Sequence, residues 1–122
     1  MKKVLICDDS EMVRNFHYYI LKTAGFEVIS AIDGADGLEK LWLNKDIGLV
    51  ITDINMPNMD GYSMIEKIRM EDEFEDIPII IISTEDQLKD KQKGYDAGAN
   101  IYIVKPTAPE QLVESVKLLM EE

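Results

Sequence analysis

Residues 49–61 read Leu49-Val50-Ile51-Thr52-Asp53-Ile54-Asn55-Met56-Pro57-Asn58-Met59-Asp60-Gly61. The apolar run from Gly48 to Ile51 has the unbroken hydrophobicity of a strand covered on both faces. Pro57, Asn58 and Asp60-Gly61 are turn formers and mark the loop that follows. Asp53 stands where strand gives way to loop. A buried strand that ends on a bare carboxylate needs compensation, because desolvating an unpaired charge is costly. An isolated aspartate at such a position is ordinarily a cap or turn residue. The rest of the chain decides against that reading.

Outward from this stretch, the same pattern recurs. Val4 to Cys7 is an apolar run ending on Asp8-Asp9, after which Ser10 is placed to cap a helix. Met12, Val13, Phe16 and Ile20 are expected to form its core face, and Gly25 its C-terminal stop. Phe26 to Ser30 reads as a second strand, and Asp33-Gly34 leads into a helix carrying Ala35, Leu38, Leu41 and Trp42 at helical spacing. Past Gly61, a stripe of Met64, Ile65 and Ile68 fades into an acidic run, Glu71 to Asp76, expected to be a solvated connection. Ile77 to Ile82 is a fourth strand, with Pro78 near its start where a missing donor is tolerated. It leads to Ser83-Thr84.

The fourth helix, Asp86 to Asp96, offers little beyond Leu88 and Tyr95 to bury. Gly94 inside it costs about 1 kcal/mol, so Gly94→Ala is expected to stiffen it. Ile101 to Val104 is a fifth strand ending on Lys105-Pro106. Pro109 opens a last helix at its first position, with Leu112, Val113, Val116, Leu119 and Met120 facing the core. Five strand–helix units in strict alternation call for an α/β fold, a doubly wound (βα)5 five-stranded parallel sheet with helices on both faces.

Length and composition narrow the function classes. The 122 residues are expected to make a single domain, residues 1–122, without an output domain. A net charge of -11 argues against nucleic acid and against an anionic membrane surface, both of which select basic proteins. The lone cysteine, Cys7, excludes an internal disulfide and reads as a buried thiol. The start Met1-Lys2-Lys3 is followed by only four apolar residues before Asp8, so it is not expected to act as a leader peptide. No apolar run reaches membrane-spanning length, and the expected location is cytoplasmic.

Parallel strands put their C-terminal ends along one edge of the sheet. Four of the five ends here carry polar chemistry: Asp8-Asp9, Asp53, Ser83-Thr84 and Lys105. Three crowded carboxylates repel one another, and a hard divalent cation such as Mg2+ resolves that repulsion. Lys105 supplies a positive charge for Asp53 or for an incoming phosphoryl group. Phosphoryl transfer needs mainly positioning and charge neutralisation, and a carboxylate can be its nucleophile.

The pieces Val4-Leu5-Ile6-Cys7-Asp8-Asp9, Asp53 through Gly61, Ile82-Ser83-Thr84, Asp96-Ala97-Gly98-Ala99 and Lys105-Pro106 stand in an order and spacing that span nearly the whole chain. On these residues the sequence resembles the receiver domain of two-component response regulators, and within it the single-domain chemotaxis type. That resemblance implies a flavodoxin-like strand order of 2-1-3-4-5. It also implies that Asp53 is the phosphoacceptor. Asp9, Asp53 and the main-chain carbonyl of Asn55 would ligate Mg2+, with Asp8 acting mostly through water. Ser83, thirty residues after Asp53, and Lys105 would meet the phosphoryl oxygens. Tyr102 would be the switch aromatic that moves inward with the hydroxyl. The Lys105-Pro106 bond would be cis. Asn55 and Glu85 match the types of fast-turnover receivers.

The implied partners are a histidine kinase as phosphodonor, a phosphatase, and an output protein with a flagellar motor switch component as the leading candidate. A phosphorelay intermediate or regulation of another enzyme is the alternative, and the protein is expected to be a monomer and a signalling domain rather than an enzyme. The output face would be the fourth helix, fifth strand and fifth helix. Two positions depart from the family pattern. Thr107 follows Lys105-Pro106 where many receivers have Phe, making that surface less apolar, and Ile54 stands where some chemotaxis receivers carry Trp. Trp42, the only tryptophan, is expected to be remote from the site. His17 is expected on the surface or half-buried, away from the acidic edge. A haloacid dehalogenase-type phosphatase is disfavoured by Asn55, where a second acid is wanted, and by the lack of a cap domain. A flavodoxin-like electron carrier is disfavoured by Asp8-Asp9, which repel a phosphate that lacks a metal.

Overall fold

A computed structural model describes residues 3–120; the Met1-Lys2 start lies outside them. The chain alternates β1 (Lys3–Cys7), α1 (Glu11–Thr23), β2 (Glu27–Ala31), α2 (Gly34–Leu43), β3 (Ile47–Thr52) and α3 (Gly61–Met70). After a short 3-10 turn at Asp72–Phe74 it continues with β4 (Ile79–Ser83), α4 (Leu88–Ala97), β5 (Ile101–Val104) and α5 (Pro109–Met120). All strand pairs are parallel, in the order β2-β1-β3-β4-β5. The five-unit α/β fold and its strand order are those expected.

The unbroken apolar strands follow from period-two alternation under two helical layers. Val4, Ile6, Leu49, Ile51, Ile80, Ile82 and Ile103 face one way, onto Leu21 of α1 and Leu112 and Val116 of α5. Leu5, Cys7, Val50, Ile79 and Ile81 face the other, onto Leu41 of α2 and Met64, Ile65 and Ile68 of α3. Each buried side chain of this size stabilises the fold by about 1.5–3 kcal/mol. Ser10 caps α1 through Val13 N–H, and Gly25 follows it with φ +101°, open to glycine without strain.

Several local expectations are corrected. In α1 the fully buried residues are His17 and Leu21; Ile20 packs against the core as expected, while Met12 is 80% and Phe16 50% exposed. In α2 only Leu41 of the expected stripe is fully buried; Ala35 and Trp42 face out. The acidic run is not merely a solvated connection, because Phe74 buries itself there and takes Trp42 edge-on. β4 starts after Pro78 rather than at Ile77. Leu88 and Tyr95 do not hold α4, being 84% and 47% exposed. The residue α4 buries is Gly94, against Ile81 and the ring of Tyr102.

Backbone-directed polar contacts hold the far end of α4. Arg69 of α3 donates through Nε and Nη2 to the Gly98 carbonyl, at 3.1 and 2.8 Å. The same guanidinium reaches the carbonyls of Glu75 and Ile77 and Oδ1 of Asn100.

Candidate functional site

The register of the sheet builds the site. Cys7 pairs with Thr52, so Asp8 and Asp53 leave adjacent strands side by side. The loop after Asp53 is fixed at both ends. Gly61 N–H donates to the Ile54 carbonyl at 2.8 Å, and a side chain at Gly61 would collide with the carbonyl of Asp53. Asn58, in the left-handed region at φ 66°, donates to the buried Asp33, the N-cap of α2. The turn chemistry of Pro57 to Gly61 thus serves to aim Asp53.

Asp8, Asp9 and Asp53 each present a carboxylate oxygen within 4.8 Å of the others. Asp8 is 3% exposed, Asp53 half-buried and Asp9 open to solvent. Lys105 enters from the end of β5 and donates to Oδ2 of Asp53 at 2.8 Å and to Oδ2 of Asp8 at 3.1 Å. Oδ1 of Asp8 accepts from Ser10 N–H, and Oδ1 of Asp53 from Ile54 N–H. Burial works against the Lys105 ammonium, but Asp53 and then Asp8 outweigh it and hold its pKa above the ordinary value. The Lys105-Pro106 peptide is cis.

One ammonium cannot neutralise three carboxylates. The donor set, carboxylate oxygens on a solvent-open edge, suits a small hard cation. The Asn55 main-chain carbonyl lies in the adjoining loop, where the Asn55 side chain donates to Oε1 of Glu85 at 3.1 Å. Ser83 ends β4 fully buried, its Oγ accepting from Glu85 N–H, whereas Thr84 is exposed. Tyr102 is turned inward, 9% exposed, and its hydroxyl donates to the Glu85 carbonyl at 2.8 Å. Burial, only partly offset by the Ser83 hydroxyl, pushes the Tyr102 phenol up to about 12.

Of the residues singled out in the sequence, Asp8, Asp9, Asp53 and Lys105 meet at this edge, and Asn55, Ser83 and Tyr102 each bond to Glu85. Two further ones, Arg14 and Tyr62, were missed, and His17 was misplaced. Arg14 donates to the Asp8 carbonyl at 2.8 Å. Tyr62, at the start of α3, donates to the carbonyl of Asp90 in α4. His17, expected near the surface and away from the edge, is instead 4% exposed; burial and then the charge of Lys105 lower its pKa. A lone polar residue in an amphipathic helix gives no sign of which face it takes. Thr107 is likewise buried, so its side chain does not shape the surface beside Lys105-Pro106.

The same fold occurs among known proteins. Residues 4–117 match the family model described as response regulator receiver domain. Chemotaxis protein CheY1 of Helicobacter pylori is 39% identical over 97% of this chain and 96% of its own. Protein PilG of Pseudomonas aeruginosa is 37% identical over 94% of this chain and 84% of its own. Among solved structures, chemotaxis protein CheY4 of Vibrio cholerae superposes with a TM-score of 0.92 at 35% identity, covering 98% of this chain and 99% of that one.

Proposed function

The chain belongs to the response regulator receiver domain family, and from that premise we propose that it accepts a phosphoryl group on Asp53 from a histidine kinase and relays the signal to an output protein. The observation that carries this is the convergence of three carboxylates and Lys105 on one sheet edge. Asp8, Asp9, Asp53 and the Asn55 carbonyl would hold Mg2+, which when bound supplies charge neutralisation for the phosphoryl oxygens. Asp53 forms the new O–P bond as the N–P bond to the kinase imidazole breaks. Lys105 is already aimed at the Asp53 carboxylate, so it can follow the charge from carboxylate to phosphoryl oxygen with little movement. Ser83 presents a hydroxyl from the neighbouring strand end.

The new phosphoryl group adds nearly two negative charges beside Ser83, and the nearby loop and α4, packed over the inward Tyr102, are what respond. The output face is α4, β5 and α5. Resemblance to chemotaxis proteins supports a flagellar motor switch component as the partner, with a phosphorelay role second. The Asn55–Glu85 bridge beside the acceptor supports a short-lived acyl phosphate, hydrolysed unaided or with a phosphatase. The net charge of -11 favours a monomer through self-repulsion; among the described residues no helix is long and apolar enough to cross a membrane.

Intact mass after incubation with acetyl phosphate tests the reading. A Mg2+-dependent, hydroxylamine-labile phosphoryl adduct, absent from Asp53→Asn, is expected. No adduct, together with no binding of beryllofluoride, would overturn it and leave a phosphorylation-independent binding module.

A further inference from the structure

The α4 helix presents a physical problem. Its inward face is a glycine, and its larger apolar side chains, Leu88 and Tyr95, are exposed. Ten residues with so little to bury cannot be held by the hydrophobic effect. The polar contacts at its site-proximal half therefore matter more than usual.

Besides the Gln87–Asp90 capping box, two tyrosines from neighbouring elements supply them. Tyr102 donates to the Glu85 carbonyl in the segment leading into α4, and Tyr62 donates to the Asp90 carbonyl in its first turn, at 3.2 Å. Both therefore act on backbone that moves as α4 moves. Lys93 of α4 lies 4.5 Å from the centre of the Tyr62 ring, adding a cation–π contact from helix to ring. Gly94 leaves the space into which the Tyr102 ring fits. Tyr62 is thus fixed on α3, directly after the loop that aims Asp53, and grips the helix under which Tyr102 is tucked. Burial raises the Tyr62 phenol above its ordinary value, with Asp90, Glu85 and Asp60 adding to the effect; the Tyr102 hydroxyl, facing it, acts the other way.

We propose that Tyr62 is a positioning residue for the phosphorylation switch: its hydroxyl latches α4 in the arrangement that keeps Tyr102 inward before any phosphoryl group arrives. The inference rests on the receiver reading for its consequence, though not for the latch itself. A contact that favours the inward arrangement must, by linkage, also favour whatever ligand at Asp53 selects that arrangement. Tyr62→Phe keeps the ring and its Lys93 contact and removes one hydrogen bond. It should therefore speed exchange of the α4 amides about three- to tenfold and weaken beryllofluoride binding by up to that factor, as the inward population falls.

Two measurements on the full chain separate the possible failures. Amide exchange without metal or beryllofluoride tests the latch alone. Faster exchange confined to residues 85–98 in Tyr62→Phe, with β1 and β3 unchanged, is expected. Exchange equal to wild type, or a uniform increase across the chain, would overturn the latch. Beryllofluoride titration in Mg2+ then tests the coupling. Wild-type binding with an undiminished affinity in Tyr62→Phe would overturn the positioning role. No binding by wild type would instead defeat the phosphoacceptor reading and, with it, the switch role assigned to Tyr62.

Discussion

The Nζ of Lys105 lies 2.8 Å from Oδ2 of Asp53, with 14% of each side chain exposed. The same ammonium reaches the still more buried Asp8 at 3.1 Å. Removing it leaves two carboxylates without a counter-ion. Lys105→Met should cost about 2 kcal/mol at pH 7, below the roughly 3–5 of a fully buried pair because Asp53 keeps partial access to water. The folded-state pKa of Lys105 is raised, so its contribution is fully present below the unfolded value of about 10.4 and is lost as pH rises through the higher folded value. Urea melts of both proteins should therefore converge above that range.

Asp9 contributes a third negative charge and, among the described residues, has no ion pair of its own. Asp9→Asn should raise stability without metal by about 0.5 kcal/mol through relief of repulsion. It should also abolish stabilisation by Mg2+, which at ten times Kd is worth about 1.4 kcal/mol in wild type. Thermal melts with and without Mg2+ check both signs.

Gly94→Ala sets helix propensity against packing. Alanine gains about 1 kcal/mol in a free helix. Here its Cβ would lie 2.8 Å from Cδ1 of Ile81 and 3.0 Å from Cδ2 of Tyr102. Overpacking of this kind costs about 1–3 kcal/mol, so the net effect should be destabilising. Faster amide exchange in α4 is expected, opposite to the stiffening that propensity alone predicts.

His17 is held neutral by burial and by Lys105, with its folded pKa below the ordinary 6.5. Its contribution is present above that unfolded value and is lost as pH falls towards the folded one. Wild type should therefore lose more stability than His17→Gln between pH 7.5 and 5.5, as read by chemical denaturation at each pH.

The sheet was legible because strands covered on both faces must be continuously apolar, and the site was legible because parallel strands bring their ends together. Neither inference needed side-chain detail. Helix faces were harder. In α1, apolar Met12 and Phe16 face solvent while His17 turns inward, an exchange that periodicity reads in reverse. Tyr62 and Arg69 were invisible for another reason: each acts on backbone carbonyls 28 or 29 residues away, and main-chain acceptors leave no trace in residue types. Phe74 was hidden in a run of acids, where charge density outweighed one aromatic.

The Arg69 fork on the Gly98 carbonyl has a mechanical corollary for α4. A helix of ten residues is about 15 Å long. Clamped at its C-terminal end by charge-assisted bonds from a neighbouring helix, it has a fulcrum there and is kept from sliding along the sheet. What remains is a swing, small at Ala97 and largest at Leu88, the end nearer in sequence to Ser83. A modest change at the phosphoacceptor edge would then be read out as a change of angle, with the displacement greatest at the helix's site-proximal tip.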